Sequence, residues 1–326
     1  MKNIVIIATG GTIAGSGKIG KATNYQAGKI DIKEIIDSIP MINEIANLTA
    51  IQLFNIDSNE MNEQYWLCLT KKINDLANQD NIDGFVVTHG TDTLDETAYF
   101  LNLTVCTYKP VVLTGAMRPA SATSADGPMN LYQAVCLASS DEALGHGVMA
   151  LFSSTIYSGR DIQKVSNFRI DAFDQNHFGC LGYMYDDKVQ MFSRTFKKHT
   201  ILSMFSESLP AELPSVGIVY YYAGANVQLL TMMAKIHQGI VIIGSGSGNY
   251  SKLWLEEIQR LSNEGIIFVR ASRVNQGIVY ESSIFDPLNI CIPSNTLSGQ
   301  KARVLLMLAL SKTTNINEIK KIFDEY

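Results

Sequence analysis

Long apolar runs are missing from this chain of 326 residues. Val304 to Leu310 is typical of those present, far short of the ~20 residues that a membrane-spanning helix needs. No block of lysines and arginines stands out, and the formal net charge is −5. Nucleic acid and anionic membranes are therefore not expected partners. Cysteines are few: Cys68, Cys106, Cys136, Cys180 and Cys291 are scattered, odd in number and form no CxxC pair. That usage fits free thiols in a reducing compartment and argues against a disulfide framework or a zinc site. The five histidines form no HExxH motif and no metal-ligand cluster, and there is no GxSxG nucleophile elbow. Neither a metal nor a cofactor is expected. Tandem repeats and low-complexity tracts are also absent. The N-terminal segment MKNIVIIATGG is too short in its apolar part for a signal peptide and reads as a first core strand. A cytoplasmic location is expected, or a periplasmic one if the sequence is a processed mature chain.

What is present is a series of short Val/Ile-rich runs that end abruptly in Gly, Thr or Ser. They are Ile4–Thr12, Gly84–Asp92, Pro110–Met117, Gly147–Thr155, Val216–Tyr222, Gly239–Asn249 and Ile266–Arg273. Apolar runs without alternation suggest strands buried on both faces. Helical patterns lie between them. Met61–Asn78 has apolar residues at helical spacing. Leu94–Leu103 follows Thr93 with Glu96 three residues later, which predicts a capping box. Pro128–Ala138 opens on a favoured first helical residue, and a last helix is expected to start near Asn315. The alternation predicts an α/β fold: a mostly parallel sheet flanked by helices in a large N-terminal domain, 1–193. Residues 194–214 read as a linker, and 215–326 as a smaller α/β C-terminal domain. In such sheets ligands bind beyond the carboxyl ends of the strands, which singles out Thr12, Thr91, Asp92, Ala116 and Ser245.

Five motifs sit at those ends. In ATGGTIAG, Gly10 and Gly11 allow a tight turn, Thr12 offers a hydroxyl, and free glycine N–H groups are expected to face an oxyanion. A plain glycine turn would leave the same pattern. The following GSGKIGKATNY nearly matches a phosphate-binding loop, but Ala22 stands where a Ser or Thr should hold magnesium. A lid carrying Tyr25 fits better. In THGTDTLDETAYFL, Thr91 and Asp92 precede a helix, and simple capping would also explain them. His89 is assigned no role. TGAMRPASATSADGPMNLYQAV is dense in small residues, as in a site wall or an ordinary loop. In SGRDIQK, Lys164 is a surface lysine unless it is buried beside Thr91, where a desolvated amine could act as a base oriented by Asp92. GSGSGNY misses the dinucleotide fingerprint because Asn249 stands in place of Gly, so it reads as a turn that brings Asn249 toward a pocket, or as a turn only.

Together, ATGGTIAG, THGTDTLDETAYF, VVLTGAMRPASATSADGPMNLYQAV, GRDIQK and LSGQKARVLL resemble the bacterial type II L-asparaginases, nearly end to end. The resemblance implies hydrolysis of L-asparagine through a threonine-linked acyl-enzyme by a homotetramer, a dimer of dimers with sites at subunit interfaces. It implies that Thr12 is the nucleophile, Tyr25 its lid partner, and Thr91, Asp92 and Lys164 the second catalytic group. Ser58 would bind the substrate α-carboxylate, Asp92 the α-amino group and the Ala116 backbone the amide. Asn249 would come from the neighbouring subunit. Two positions depart from the family pattern. Asn59 stands where Gln is usual beside Ser58, and GIVYESSIFDPLN lacks a clean match to an acidic neighbour-subunit residue, leaving Glu281 or Ser283 for that place. One methylene in a pocket is worth only ~1–3 kcal/mol, so L-glutamine is a competing substrate and a mixed glutaminase-asparaginase the alternative. Ala77 stands where some secreted members have a cysteine, so their disulfide is not expected. A tRNA-dependent amidotransferase subunit would need an added RNA-binding part, and a sensing protein would not need the full set of Thr12, Thr91, Asp92 and Lys164.

Overall fold

The computed structural model describes residues 1–17, 20, 25–26, 31–175 and 177–326, with 16–17 and 25–26 described by backbone alone. The chain divides into two units, Met1–Leu209 and Pro210–Tyr326. The first opens with β1 (Lys2–Gly10) and a short hairpin of β2 (Ser16–Gly17) and β3 (Tyr25–Gln26). Next come α1 (Ile32–Asp37), α2 (Ile42–Ile45), β4 (Ala46–Ile56), α3 (Glu63–Ala77), β5 (Gly84–Thr88), α4 (Leu94–Thr104), β6 (Val111–Thr114) and α5 (Gly127–Ser139). The unit then runs through β7 (Val148–Phe152), β8 (Thr155–Ser158), β9 (Gln163–Lys164), β10 (Phe173–Asp174), β11 (Gly182–Tyr185) and β12 (Lys188–Met191). Its main sheet has the order β12-β11-β8-β7-β6-β5-β1-β4. The run from β4 to β7 is parallel, and β8, β11 and β12 add antiparallel pairs.

The uninterrupted apolar strands have a direct cause. Ile4 and Ile6 of β1 pack with Leu131 and Val135 of α5, whereas Val5 and Ile7 pack with Leu69 and Ile73 of α3. Successive side chains point to opposite faces, and helices cover both, so every position is apolar. β4 escaped the sequence reading for the converse reason. It lies at the sheet edge, and its four exposed residues, Asn47, Thr49, Gln52 and Asn55, interrupt its apolar ones.

The predicted capping box at α4 is not formed. Thr93 occupies the N-cap position but makes no side-chain cap bond. Its hydroxyl donates instead to Ser58 O at 2.8 Å, tying the start of α4 to the segment after β4. The last helix, by contrast, is capped by Asn315, which accepts from Asn317 N and Glu318 N. All five cysteines are free. Near Ala77 and Cys106 the chain is held by hydrogen bonds: Lys109 Nζ donates to Ala77 O and Gln79 O, both at 2.8 Å, and Cys106 N to Asn74 Oδ1 at 2.8 Å.

The second unit holds β13 (Val216–Tyr220), α6 (Gln228–Ala234), β14 (Gly239–Gly244), α7 (Lys252–Asn263), β15 (Ile267–Ser272), β16 (Cys291–Pro293), α8 (Gly299–Leu310) and α9 (Ile316–Glu325). Its strands form one parallel sheet in chain order. Ile240, Ile242 and Phe268 pack on Leu230 of α6 and on Trp254 and Ile258 of α7.

Candidate active site

A cavity of about 190 Å³ opens beyond the carboxyl ends of β1, β4 and β5 in the first unit. It is lined by Gly11, Thr12, Asp57, Ser58, Gly90, Thr91, Asp92, Met117, Lys164 and Asn167. The close approach of three loops builds it. Gly10 and Gly11 have φ of 109° and 85°, values that side chains rarely tolerate. A Cβ on Gly11 would lie 2.4 Å from Gly90 N, and one on Gly90 would lie 2.7 Å from Ser58 Oγ. The absence of side chains at these two positions lets the loops after β1 and β5 touch backbone to backbone and lets Ser58, after β4, pack directly on Gly90. Thr12, Ser58 and Thr91 are thereby drawn around one space.

Thr12 opens a short 3-10 turn and is 7% exposed. One expectation fails here. The Gly11 N–H is not free for an oxyanion, because it donates to Ile56 O at 3.1 Å. Pairing between β1 and β4 continues past an irregularity in register at Ala8 to Gly10 and uses that donor.

Lys164 arrives from the β9–β10 hairpin, with its side chain 14% exposed. Its Nζ donates to Thr91 Oγ1 at 2.8 Å and to Asp92 Oδ1 at 2.6 Å. The hydrogen bond from Lys164 holds the Asp92 carboxyl below its ordinary pKa, with burial opposing and the charge of Lys164 and a bond from Asn59 assisting. Asn59 Nδ2 lies 3.4 Å from Asp92 Oδ2 and 2.7 Å from Asp57 Oδ1.

The other sequence candidates lie elsewhere. Ala116 is buried, and its neighbour Met117 is the residue that lines the cavity. The Asp126 carboxylate accepts from Met117 N and Arg118 N and so fixes that loop. Tyr25 pairs with Gly17 through the backbone, and its side chain is outside the described residues. Asn249 belongs to the second unit, in a turn closed by Ser245 N donating to Asn249 O at 2.9 Å; its Oδ1 is buried and has no hydrogen-bond partner among the described residues. Glu281, also in the second unit, is 3.2 Å from Lys320 Nζ, and Ser283 is exposed. Asp57, Gly90, Met117 and Asn167 were missed by the sequence reading. Asp57 follows β4, so the strand-end rule would have flagged it had that strand been recognised.

Beneath Thr91 runs a buried relay. The Trp66 indole donates to Thr97 Oγ1 at 2.8 Å, Thr97 meets His89 Nε2 at 3.0 Å, and His89 Nδ1 lies 2.7 Å from Gly90 O. A carbonyl only accepts, so Nδ1 carries a proton; burial disfavours a second proton on the ring, which leaves Nε2 to accept from Thr97. Burial lowers its pKa from 6.5 to about 4, with the Gly90 bond opposing. On acidification the unfolded chain therefore takes up this proton first. The stabilisation is complete above pH ~6.5, is lost as pH falls toward ~4, and levels off below, an order of ~3 kcal/mol. His89→Gln is expected to flatten that part of a denaturation-against-pH profile. An unchanged slope would show that His89 is not its source.

Residues 3–197 match the family model described as "Asparaginase, N-terminal", and residues 215–323 match "Glutaminase/Asparaginase C-terminal domain". A probable periplasmic L-asparaginase of Haemophilus influenzae is 42% identical over 100% of this chain and 93% of its own length. A glutaminase-asparaginase of Acinetobacter glutaminasificans is 41% identical over 99% of each chain. The crystal structure of a probable cytoplasmic L-asparaginase from Campylobacter jejuni superposes with a TM-score of 0.95 at 43% identity, covering 100% of both chains. With both parts of the sequence matched and its relatives covered almost end to end, the chain belongs to the asparaginase family of amidohydrolases.

Proposed function

We propose that the protein hydrolyses L-asparagine to L-aspartate and ammonia, with Thr12 as the nucleophile of an acyl-enzyme. The observation that carries this reading is a mostly buried lysine amine 2.8 Å from Thr91 Oγ1, on the cavity that Thr12 also lines. An amide is a poor electrophile and needs an activated hydroxyl, a base and donors for the tetrahedral oxyanion. Thr12 supplies the hydroxyl, with Tyr25 as its lid partner. Lys164 in its amine form takes a proton through the Thr91 hydroxyl, and Asp92 fixes its direction. The cavity-lining backbone at Gly90 and Thr91 serves the oxyanion in place of Gly11. The C–N bond breaks with return of the proton to nitrogen, ammonia leaves, and water then releases aspartate from Thr12.

In the same reading Ser58 holds the α-carboxylate, Asp92 and Asn59 the α-amino end, and the Ala116 backbone the amide. A neighbouring subunit contributes Asn249. Exposed Phe192, Phe196, Ile201, Leu202 and Met204 in the first unit support assembly into a homotetramer, since monomers rarely leave so many large apolar groups in water. The free cysteines, two of them exposed, support a cytoplasmic setting.

The test is ammonia release from L-asparagine and L-glutamine at matched concentrations, with mass analysis of the quenched protein. An aspartyl adduct on the peptide containing Thr12 is expected, and asparagine binding without ammonia release would sink the reading. Substantial glutamine turnover would favour the mixed glutaminase-asparaginase. The observation behind that alternative is the short Asn59 side chain, drawn against Asp57 at the cavity wall.

A further inference from the structure

We propose that Asp57 is a specificity-determining residue of this site, a carboxylate that makes the enzyme demand a free α-ammonium group on its substrate. The inference rests on the asparagine-hydrolysing reading above and extends it to a residue outside that mechanism.

The charged residues lining the cavity are Asp57, Asp92 and Lys164. Lys164 is committed to Asp92 at 2.6 Å. No lysine or arginine among the described residues pairs with Asp57, so among them one negative charge on the wall is unmatched. Asp57 Oδ1 accepts from Asn59 N at 2.9 Å and from Asn59 Nδ2 at 2.7 Å. The same Nδ2 reaches toward Asp92 Oδ2 at 3.4 Å. The Asn59 carboxamide thus spans the two carboxylates and holds them on one side of the cavity.

A humbler role for Asp57 is capping, since it precedes the short turn Ser58–Glu60 and accepts from its backbone. Capping needs only an acceptor oxygen, which Asn would supply equally well. The negative charge is surplus to that task. Its place is also firmly set, because Ser58, the next residue, is buried against the glycine at position 90. A fixed carboxylate on a small polar cavity, with no described cation against it, is complementary to a primary ammonium group, the one cation on the proposed substrate. The attraction between two such charges strengthens as the dielectric around them falls, as it does in a small cavity.

Asp57→Asn separates the two roles, because the amide oxygen keeps the cap and the bond from Asn59 while the charge is removed. The probes are L-asparagine and succinamate, which is asparagine without its α-amino group. The expected result is a rise of about tenfold in KM for asparagine, with kcat within about twofold and KM for succinamate unchanged. A merely structural lesion would affect both amides alike. An asparagine-to-succinamate ratio within about twofold of the parent enzyme's would overturn the proposal. Calorimetric binding of L-aspartate and succinate reads the same preference without turnover. If the parent protein releases no ammonia, the proposed function falls, and the calorimetric ratio alone decides the role of Asp57. Loss of the aspartate preference in Asp57→Asn supports that role, and no change in preference, or binding of neither ligand, rejects it.

Discussion

Replacing Thr12 with alanine is expected to lower kcat for L-asparagine by at least ~10⁴-fold while the protein remains folded. Covalent catalysis divides amide hydrolysis into two easier steps, and both need the same oxygen. With that oxygen gone, only binding and oxyanion stabilisation remain, and water must attack directly. The fold should survive because the conformation at Thr12 is set by its neighbours. Gly10 and Gly11 hold the turn at positive φ, and Gly11 N donates to Ile56 O. Substrate binding should survive as well, since Ser58, Asp92 and Lys164 keep their places on the cavity. KM should therefore move far less than kcat. Thr12→Ser, which keeps an attacking oxygen, should restore part of the rate and the aspartyl adduct. Single-turnover ammonia release and thermal denaturation check this directly. Activity of Thr12→Ala within about tenfold of the parent, with the variant folded, would mean that another group attacks the amide.

Lys164→Met is expected to cost roughly 10²–10⁴-fold in kcat, the range of a lost general base. Methionine fills much of the lysine stem but leaves Thr91 Oγ1 and Asp92 Oδ1 without the Nζ that now lies 2.8 and 2.6 Å from them. The variant should also change the pH profile. In the parent, the bond from Lys164 keeps the Asp92 pKa below its ordinary 3.8. Asp92 then stays ionised as pH falls through the usual carboxylate range. Whatever stability the pair contributes is present above pH 3.8 and is lost only as pH falls through the lower folded-state value. The Asp92 side chain is 56% exposed, so that contribution to stability is small. Its effect on activity is the better readout. Without Lys164, the acidic limb of kcat/KM should move up toward the ordinary carboxylate pKa. A variant with near-parental kcat and an unmoved limb would remove Lys164 from the proton path.

Legibility in the sequence varied with the kind of interaction involved. Strands buried on both faces announced themselves, because Ile4 to Ile7 must be apolar at every position. The edge strand Ala46–Ile56 did not, since exposed polar residues break up its apolar ones. Thr93 and Glu96 had the local pattern of a capping box, yet Thr93 donates to Ser58, 35 residues away in sequence. A local motif cannot register a long-range acceptor that competes for the same hydroxyl. The glycines at 10 and 11 were legible as a turn, but the use of Gly11 N by Ile56 was not, because it depends on which strand lies alongside.

By itself, the sequence determined the class of fold, the strand ends on which to search for chemistry, and a family resemblance carried by motifs that run almost the length of the chain. These are properties of short segments: periodicity, glycine placement and residue type. The tertiary structure decided which of those segments share a cavity. Thr12, Ser58, Thr91 and Lys164 come from four separate stretches, and only backbone-to-backbone approach at Gly11 and Gly90, with the arrival of the β9–β10 hairpin, puts them around one space. It also added Asp57 and Asn167 to that space. Neither was singled out by the sequence reading, because a carboxylate or carboxamide acquires a role from what faces it, and facing is settled by packing between distant parts of the chain.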